Sequence, residues 1–141
     1  MNYEVKRYEA FAVGDTSTFS KTIGDADVLL FAAVSGDNYP LHVDAEYAKT
    51  TRFGQRAVHG MLSASLVSTV VGLLLQKPGG IYVQQTLHFR RPVFLGDTLT
   101  ATAEVTELLS AERRMRIHVR VTNQHGKPVV EGEGLIQKDE R

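Results

Sequence analysis

Two hydrophobic periods divide the chain. From Gly60 to Lys77 the segment GMLSASLVSTVVGLLLQK is apolar on nearly every face of a 3.6-residue repeat and carries no Asp or Glu. Such a pattern predicts a helix enclosed by the rest of the fold. Its apolar run, Met61 to Leu75, is shorter than the ~20 residues that cross a hydrocarbon core and includes Ser63, Ser65, Ser68 and Thr69, so no membrane span is expected. After the turn at Pro78 to Gly80 the repeat becomes two. Ile81, Val83, Leu87 and Phe89 are expected on one side of a strand, with Tyr82, Gln84, Thr86 and His88 on the other. Leu99, Ala101, Ala103 and Val105 alternate with Thr98, Thr100, Thr102 and Glu104, and Met115, Ile117, Val119 and Val121 alternate with Arg114, Arg116, His118 and Arg120. PVVEGEGLI supplies a last strand, and FLGD and NQHG supply turns.

The first half reads differently. Thr16 to Ile23 is rich in β-branched residues and predicts a short strand. Asp25 to Ser35 predicts a helix, with acids in its first turn and Gly36 at the C-terminal cap. Asp44 is placed to cap a short helix through AEYAKT, and TRFGQRAVH is an irregular approach to the long helix. Helices first and strands second argue for an α+β fold with an antiparallel sheet rather than alternating βαβ units. About five strands and one all-apolar helix are satisfied together by a curved antiparallel sheet wrapped around a long buried central helix, with the polar face of each strand toward water.

Composition narrows the function classes. The 141 residues predict a single domain, 1–141. Sixteen Lys and Arg balance sixteen Asp and Glu, and this zero net charge gives no electrostatic footprint for nucleic acid or an anionic membrane. The absence of cysteine excludes disulfides, thiolate zinc sites and cysteine nucleophiles, and fits a cytoplasmic location. MNYEVKRYEAFAVGD has no apolar core before a small-residue cleavage site, so no signal peptide is expected.

The candidate chemistry lies in SGDNYPLHVD, Ser35 to Asp44. Asp37 and His42 stand five positions apart, up to about 17 Å if the chain were extended. Gly36, Asn38 and Pro40 are residue types that fold such a segment into a stiff turn, and fixed geometry is where much of an acid–base pair's catalytic value lies. The same residues also make an ordinary turn with a solvated histidine. In AVHGML, Gly60 opens the long helix, so its N–H is an unpaired donor at the positive end of the dipole, suited to a developing oxyanion. The alternative is that Gly60 only permits close packing. His59 either aims into the site or caps and packs, and Ser63 joins Gly60 as a substrate-binding candidate. His88, His118 and His125 have no partner in sequence and read as surface residues. A metal set of His42, Asp44 and His59 matches no common ligand spacing, so neither metal nor cofactor is expected. Arg113 to Arg120 reads as a solvated face, while Arg90 and Arg91 are candidates to meet the phosphates of a nucleotide-bearing ligand.

With GDNYPLHVD and VHGMLSASL in view, the sequence resembles the MaoC-like, R-specific enoyl-CoA hydratases, and LHFRRPVFLGDTLTATAEV extends the likeness through the second half. The resemblance implies the hot-dog fold and a catalytic pair at Asp37 and His42, and it assigns the oxyanion-binding amide to Gly60. It also implies a homodimer acting on an acyl thioester of coenzyme A or an acyl carrier protein. The family's usual D-x-N-P-x-H has Tyr39 here at the Asn position, with Asn38 one place earlier, and Ala45 stands where a proline is usual. A phenol beside the pair bears on acyl-chain size. Within the same fold, a thioesterase or a non-catalytic acyl-CoA binding module are the alternatives. A thioesterase would call for a carboxylate on or near the central helix, which has none.

Overall fold

The computed structural model describes residues 1–140. Helix α1 (Asp25–Ser35), the single turn α2 (Pro40–Val43) and α3 (Ala45–Lys49) follow strand β1 (Thr16–Thr22). The long helix α4 (Gly60–Leu75) leads into β2 (Gly80–Gln85), β3 (His88–Phe89), β4 (Thr98–Leu109), β5 (Arg114–Thr122) and β6 (Pro128–Lys138). The strands form one antiparallel sheet in the order β1-β4-β5-β6-β2, with β3 also paired to β6. This sheet packs around α4 in the hot-dog arrangement, and among the described residues no helix is long and apolar enough to cross a membrane.

The period-2 reading holds where the sheet grips the helix. Leu99, Ala101, Ala103 and Val105 of β4 and Met115, Ile117, Val119 and Val121 of β5 are fully buried, against Val67, Val70, Val71 and Leu74 of α4. On the opposite face, Ser20 and Thr22 of β1 pair hydroxyl to hydroxyl with Thr100 and Thr98 at 2.7 Å, cross-strand contacts that suit a wetted surface. Gly36 takes the left-handed conformation expected of the α1 cap (φ 78°), its N–H donating to Ala32 O. Asp44 Oδ1 accepts from the amides of Glu46 and Tyr47, as its capping role requires.

Three expectations are corrected. The run from Ile81 to Phe89 is not one strand with a buried side: β2 bulges between Tyr82 and Gln84 and the chain breaks before β3. Ile81, Val83 and Phe89 are exposed, because β2 is the sheet's edge and the bulge moves its side chains off the strict alternation. Gly132 of β6 permits the break, since a Cβ there would lie 1.7 Å from Thr86 O. Helix α4 is not enclosed all round: nine of its residues are buried, but Met61, Ser65 and Ser68 form an open stripe. It ends at Leu75 rather than Lys77, where Gln76 turns to φ 58°.

That end is closed from far along the chain. Lys138 is fully buried, and its Nζ donates to Leu75 O (2.6 Å) and Gln76 O (3.1 Å), satisfying carbonyls the helix leaves unpaired. Burial pushes the Lys138 ammonium below its ordinary 10.5.

Candidate active site

Asp37 lies one residue past the α1 cap. Its N–H donates to Ser35 Oγ (3.1 Å), and its Oδ1 accepts the Tyr39 N–H (3.2 Å), a turn that delivers the chain to Pro40. Proline at the first helical position has no N–H to leave unpaired, so α2 begins there and the stiff turn expected between Asp37 and His42 ends in a helical turn that carries His42. The segment folds back fully: ligating-type atoms of Asp37, His42 and His59 all lie within 4.8 Å of one another.

Each ring is oriented by a backbone carbonyl. His42 Nδ1 is 2.7 Å from Ala57 O, and a carbonyl only accepts, so Nδ1 carries the proton and Nε2 keeps its lone pair. Arg56 holds the same turn from behind, its Nε donating to His42 O (2.7 Å) while its Nη2 ion-pairs with Asp25 Oδ1 (2.7 Å) at the start of α1. His59 Nε2 donates to Asp37 O (3.0 Å), and its ring stacks on His42 with centroids 3.9 Å apart and planes 26° from parallel. Phe31 of α1 packs against His59 with ring centroids 4.8 Å apart, and His59 is 2% exposed. His59 thus touches both members of the pair from inside the fold.

Gly60 begins α4 with no side-chain cap, and its N–H has no partner among the described residues. A Cβ on Gly60 would come within 3.2 Å of the Phe89 ring, so the glycine keeps the space beside the amide open. Ser63 Oγ is buried and unpaired. Gly60, Ser63 and His42 share one pocket of about 370 Å³ with Leu41, Phe53 and Phe89 among its apolar walls. A free amide, a free hydroxyl and an imidazole lone pair around one apolar cavity can hold a carbonyl oxygen and move a proton beside it.

Of the residues expected at the site, His42, Gly60 and Ser63 line the pocket; Asp37 and His59 lie against His42 but outside the lining, Asp37 exposed and His59 buried behind the pair. Tyr39 does not line the pocket either. It is 55% exposed, edge-on to His42 at 6.2 Å and to Tyr47 at 6.2 Å, and frames the outer side of the pair. Asp44 is spent on capping α3, so the metal set weighed in the sequence does not assemble. In the cluster that does assemble, His59 Nε2 and His42 Nδ1 are each committed to a backbone carbonyl. Sequence reasoning missed Phe31, Arg56 and the Ala57 carbonyl. No residue-type signal marks a backbone oxygen, whereas Phe31 lies on an apolar stripe of α1 that could have been aimed at the site.

The family model for the MaoC like domain matches residues 10–128. An (R)-specific enoyl-CoA hydratase of Rhodospirillum rubrum is 43% identical over 129 residues, covering 92% of this chain and 89% of that protein. A mitochondrial 3-hydroxyacyl-[acyl-carrier-protein] dehydratase of Solanum lycopersicum is 34% identical over 123 residues, covering 86% and 73%. Among solved structures, the unliganded R-hydratase of Pseudomonas aeruginosa superposes with a TM-score of 0.90 at 47% identity, covering 96% of this chain and 86% of that one. The chain belongs to the MaoC-like family of hot-dog hydratases and dehydratases.

Proposed function

We propose that the chain is a hydro-lyase, an R-specific enoyl-CoA hydratase that adds water reversibly to a trans-2-enoyl thioester, with Asp37 and His42 as its proton-transfer pair. The observation that carries this reading is His42 itself: its Nδ1 is tied to Ala57 O, a ring nitrogen lies within 4.8 Å of an Asp37 carboxylate oxygen, and the residue lines the cavity that also contains the unpaired Gly60 amide. Water held by the pair loses a proton as its oxygen bonds to C3, and a proton is returned to C2, so the pair ends each turnover as it began. Charge passing onto the thioester oxygen is met by the Gly60 N–H at the positive end of α4. His59 holds both proton-transfer groups in register. The handedness follows the R-specific relative. The thioesterase alternative is disfavoured because α4 offers no carboxylate to direct water at the carbonyl carbon.

The direct test is incubation with trans-2-butenoyl-CoA. Loss of the conjugated absorbance with formation of the R-3-hydroxy product is expected. Release of free thiol without hydration would transfer the site to the thioesterase class, and an S product would overturn the stereochemical assignment.

The proposal includes a homodimer in the cytoplasm, the location in keeping with a cysteine-free chain. Strand β2 leaves an unpaired edge bearing Ile81 and Val83, and the open stripe of α4 carries Met61, 56% exposed. A second copy meeting edge to edge would cover both. Light scattering at micromolar protein is expected to give about twice the chain mass of 15.6 kDa, and a monomer would count against this assembly.

A further inference from the structure

The turn that carries His42 is held by two consecutive residues of another segment. Helix α2 is a single turn, too short to be stable by its own hydrogen bonds, so its carbonyls need partners from elsewhere. Leu41 O accepts the Ala57 N–H (3.2 Å) and His42 O accepts from Arg56 Nε (2.7 Å), while the His42 ring donates from Nδ1 to Ala57 O (2.7 Å). This segment is itself anchored: Val58 N–H donates to Val93 O at 2.7 Å, and Ala57 pairs with Phe94. Any residue at position 57 supplies the backbone grip. The side-chain grip is more demanding, because the same guanidinium ion-pairs through Nη2 with Asp25 Oδ1 at 2.7 Å. Among the described residues Nη2 has no acceptor in hydrogen-bonding geometry, so this second contact acts through charge. Asp25 is the first residue of α1, and Asp37 follows the far end of that helix after Gly36. One side chain, 18% exposed, therefore joins the element that carries His42 to the helix that leads to Asp37.

We propose that Arg56 is a positioning residue for the hydration, fixing the separation of Asp37 and His42; this rests on the reading of those two groups as the proton-transfer pair. Arg56 does not line the pocket, so it acts through His42 and not on the substrate. Asp37 is exposed and His42 half-buried, so packing alone does not fix the gap between them. A guanidinium suits the task because its planar fork presents Nε and Nη donors in fixed directions, one toward a carbonyl and another toward a carboxylate. A lysine ammonium in its place reaches one of the two. His59 braces the pair by direct contact, whereas Arg56 holds together the two elements on which the pair stands.

The test measures hydration of trans-2-butenoyl-CoA by Arg56→Met, Arg56→Lys and Asp25→Asn in the full chain. In Arg56→Met kcat is expected to fall about 10–100-fold with KM within about threefold of the parent, and Arg56→Lys is expected to recover part of the loss. Asp25→Asn keeps the Nε bond to His42 O and is expected to lose about two- to fivefold, the size of one exposed ion pair. Added to Arg56→Met it is expected to cost nothing more, since both changes break one link. The Nδ1–H proton resonance of His42 reports the ring's bond to Ala57 O, and is expected to shift in Arg56→Met and to return toward the parent in Arg56→Lys. A loss of thermal stability with kcat and the resonance unchanged overturns the proposal. If Arg56→Met does not fold, Asp25→Asn decides: its carboxylate lies outside the core, and parental kcat there overturns the proposal as well. A parent that leaves the enoyl thioester unhydrated overturns the hydratase reading and this role with it, whereas a hydrating parent indifferent to Arg56 overturns the role alone.

Discussion

Asp37→Asn and His42→Ala are each expected to lower hydration of trans-2-butenoyl-CoA by about 10²–10⁴-fold in a protein that remains folded. Asn retains a side-chain oxygen at the position that accepts the Tyr39 N–H, so the turn into Pro40 is kept while the ionisable carboxyl is lost. His42→Ala leaves Ala57 O without its donor, which costs about 1–3 kcal/mol at most. The core is elsewhere, between α4 and the sheet. Circular dichroism and thermal melts establish folding, and His42→Gln, whose amide can still reach the carbonyl, guards against a loss that is only structural. Because the two groups act on one water, the double variant is expected to lose far less than the product of the single losses. Parent-level turnover in either folded single variant would falsify the assignment of the pair.

His59 is expected to act through its neighbours. His59→Phe retains an aromatic ring against His42 and Phe31 but removes the donor to Asp37 O, and His59→Gln retains a donor but removes the ring. A displacement of about 1 Å in a catalytic group can cost about 10²-fold, so a fall in kcat of about 10–100-fold is expected for His59→Ala, with KM changed far less. His59→Gln should recover part of that loss, and the pH dependence of kcat should move in His59→Phe, because the face packed on His42 changes. If the variants lose thermal stability while kcat and its pH profile stay with the parent, His59 is a packing residue and the positioning role fails.

The interior of the fold was legible because two clean periods meet there. Every apolar residue of the alternating sets in β4 and β5 is buried, and α4, apolar all round, is the element they grip. The reading failed at β2 for a physical reason. An edge strand in which Ile81 and Val83 alternate with Tyr82 and Gln84 looks in sequence like a strand with one buried side, yet one chain supplies nothing to cover Ile81 and Val83. Helix α1 was legible with its bounds but not with its faces: Leu29, Leu30 and Val34 are exposed while Val28 and Ala32 are buried. At the site, the sequence brought Asp37, His42 and Gly60 forward as candidates, and the structure places His42 and Gly60 in one pocket with Asp37 beside His42. Their bracing was not legible: two main-chain carbonyls, Ala57 O and Asp37 O, orient the two imidazoles, and any residue carries such an oxygen.

Strand β6 sits inside the sheet, between β5 on one side and β2 with β3 on the other, although it is made from Pro128–Lys138. Its last residue, Lys138, also closes the end of α4. During synthesis, then, every other strand leaves the ribosome before the one that joins them. Until it arrives, β5 and β2 each present a bare hydrogen-bonding edge, and the carbonyls ending α4 lack their lysine. A nascent chain halted just short of Pro128 carries two sticky edges and an open hydrophobic interior, the state from which chaperone capture and aggregation compete.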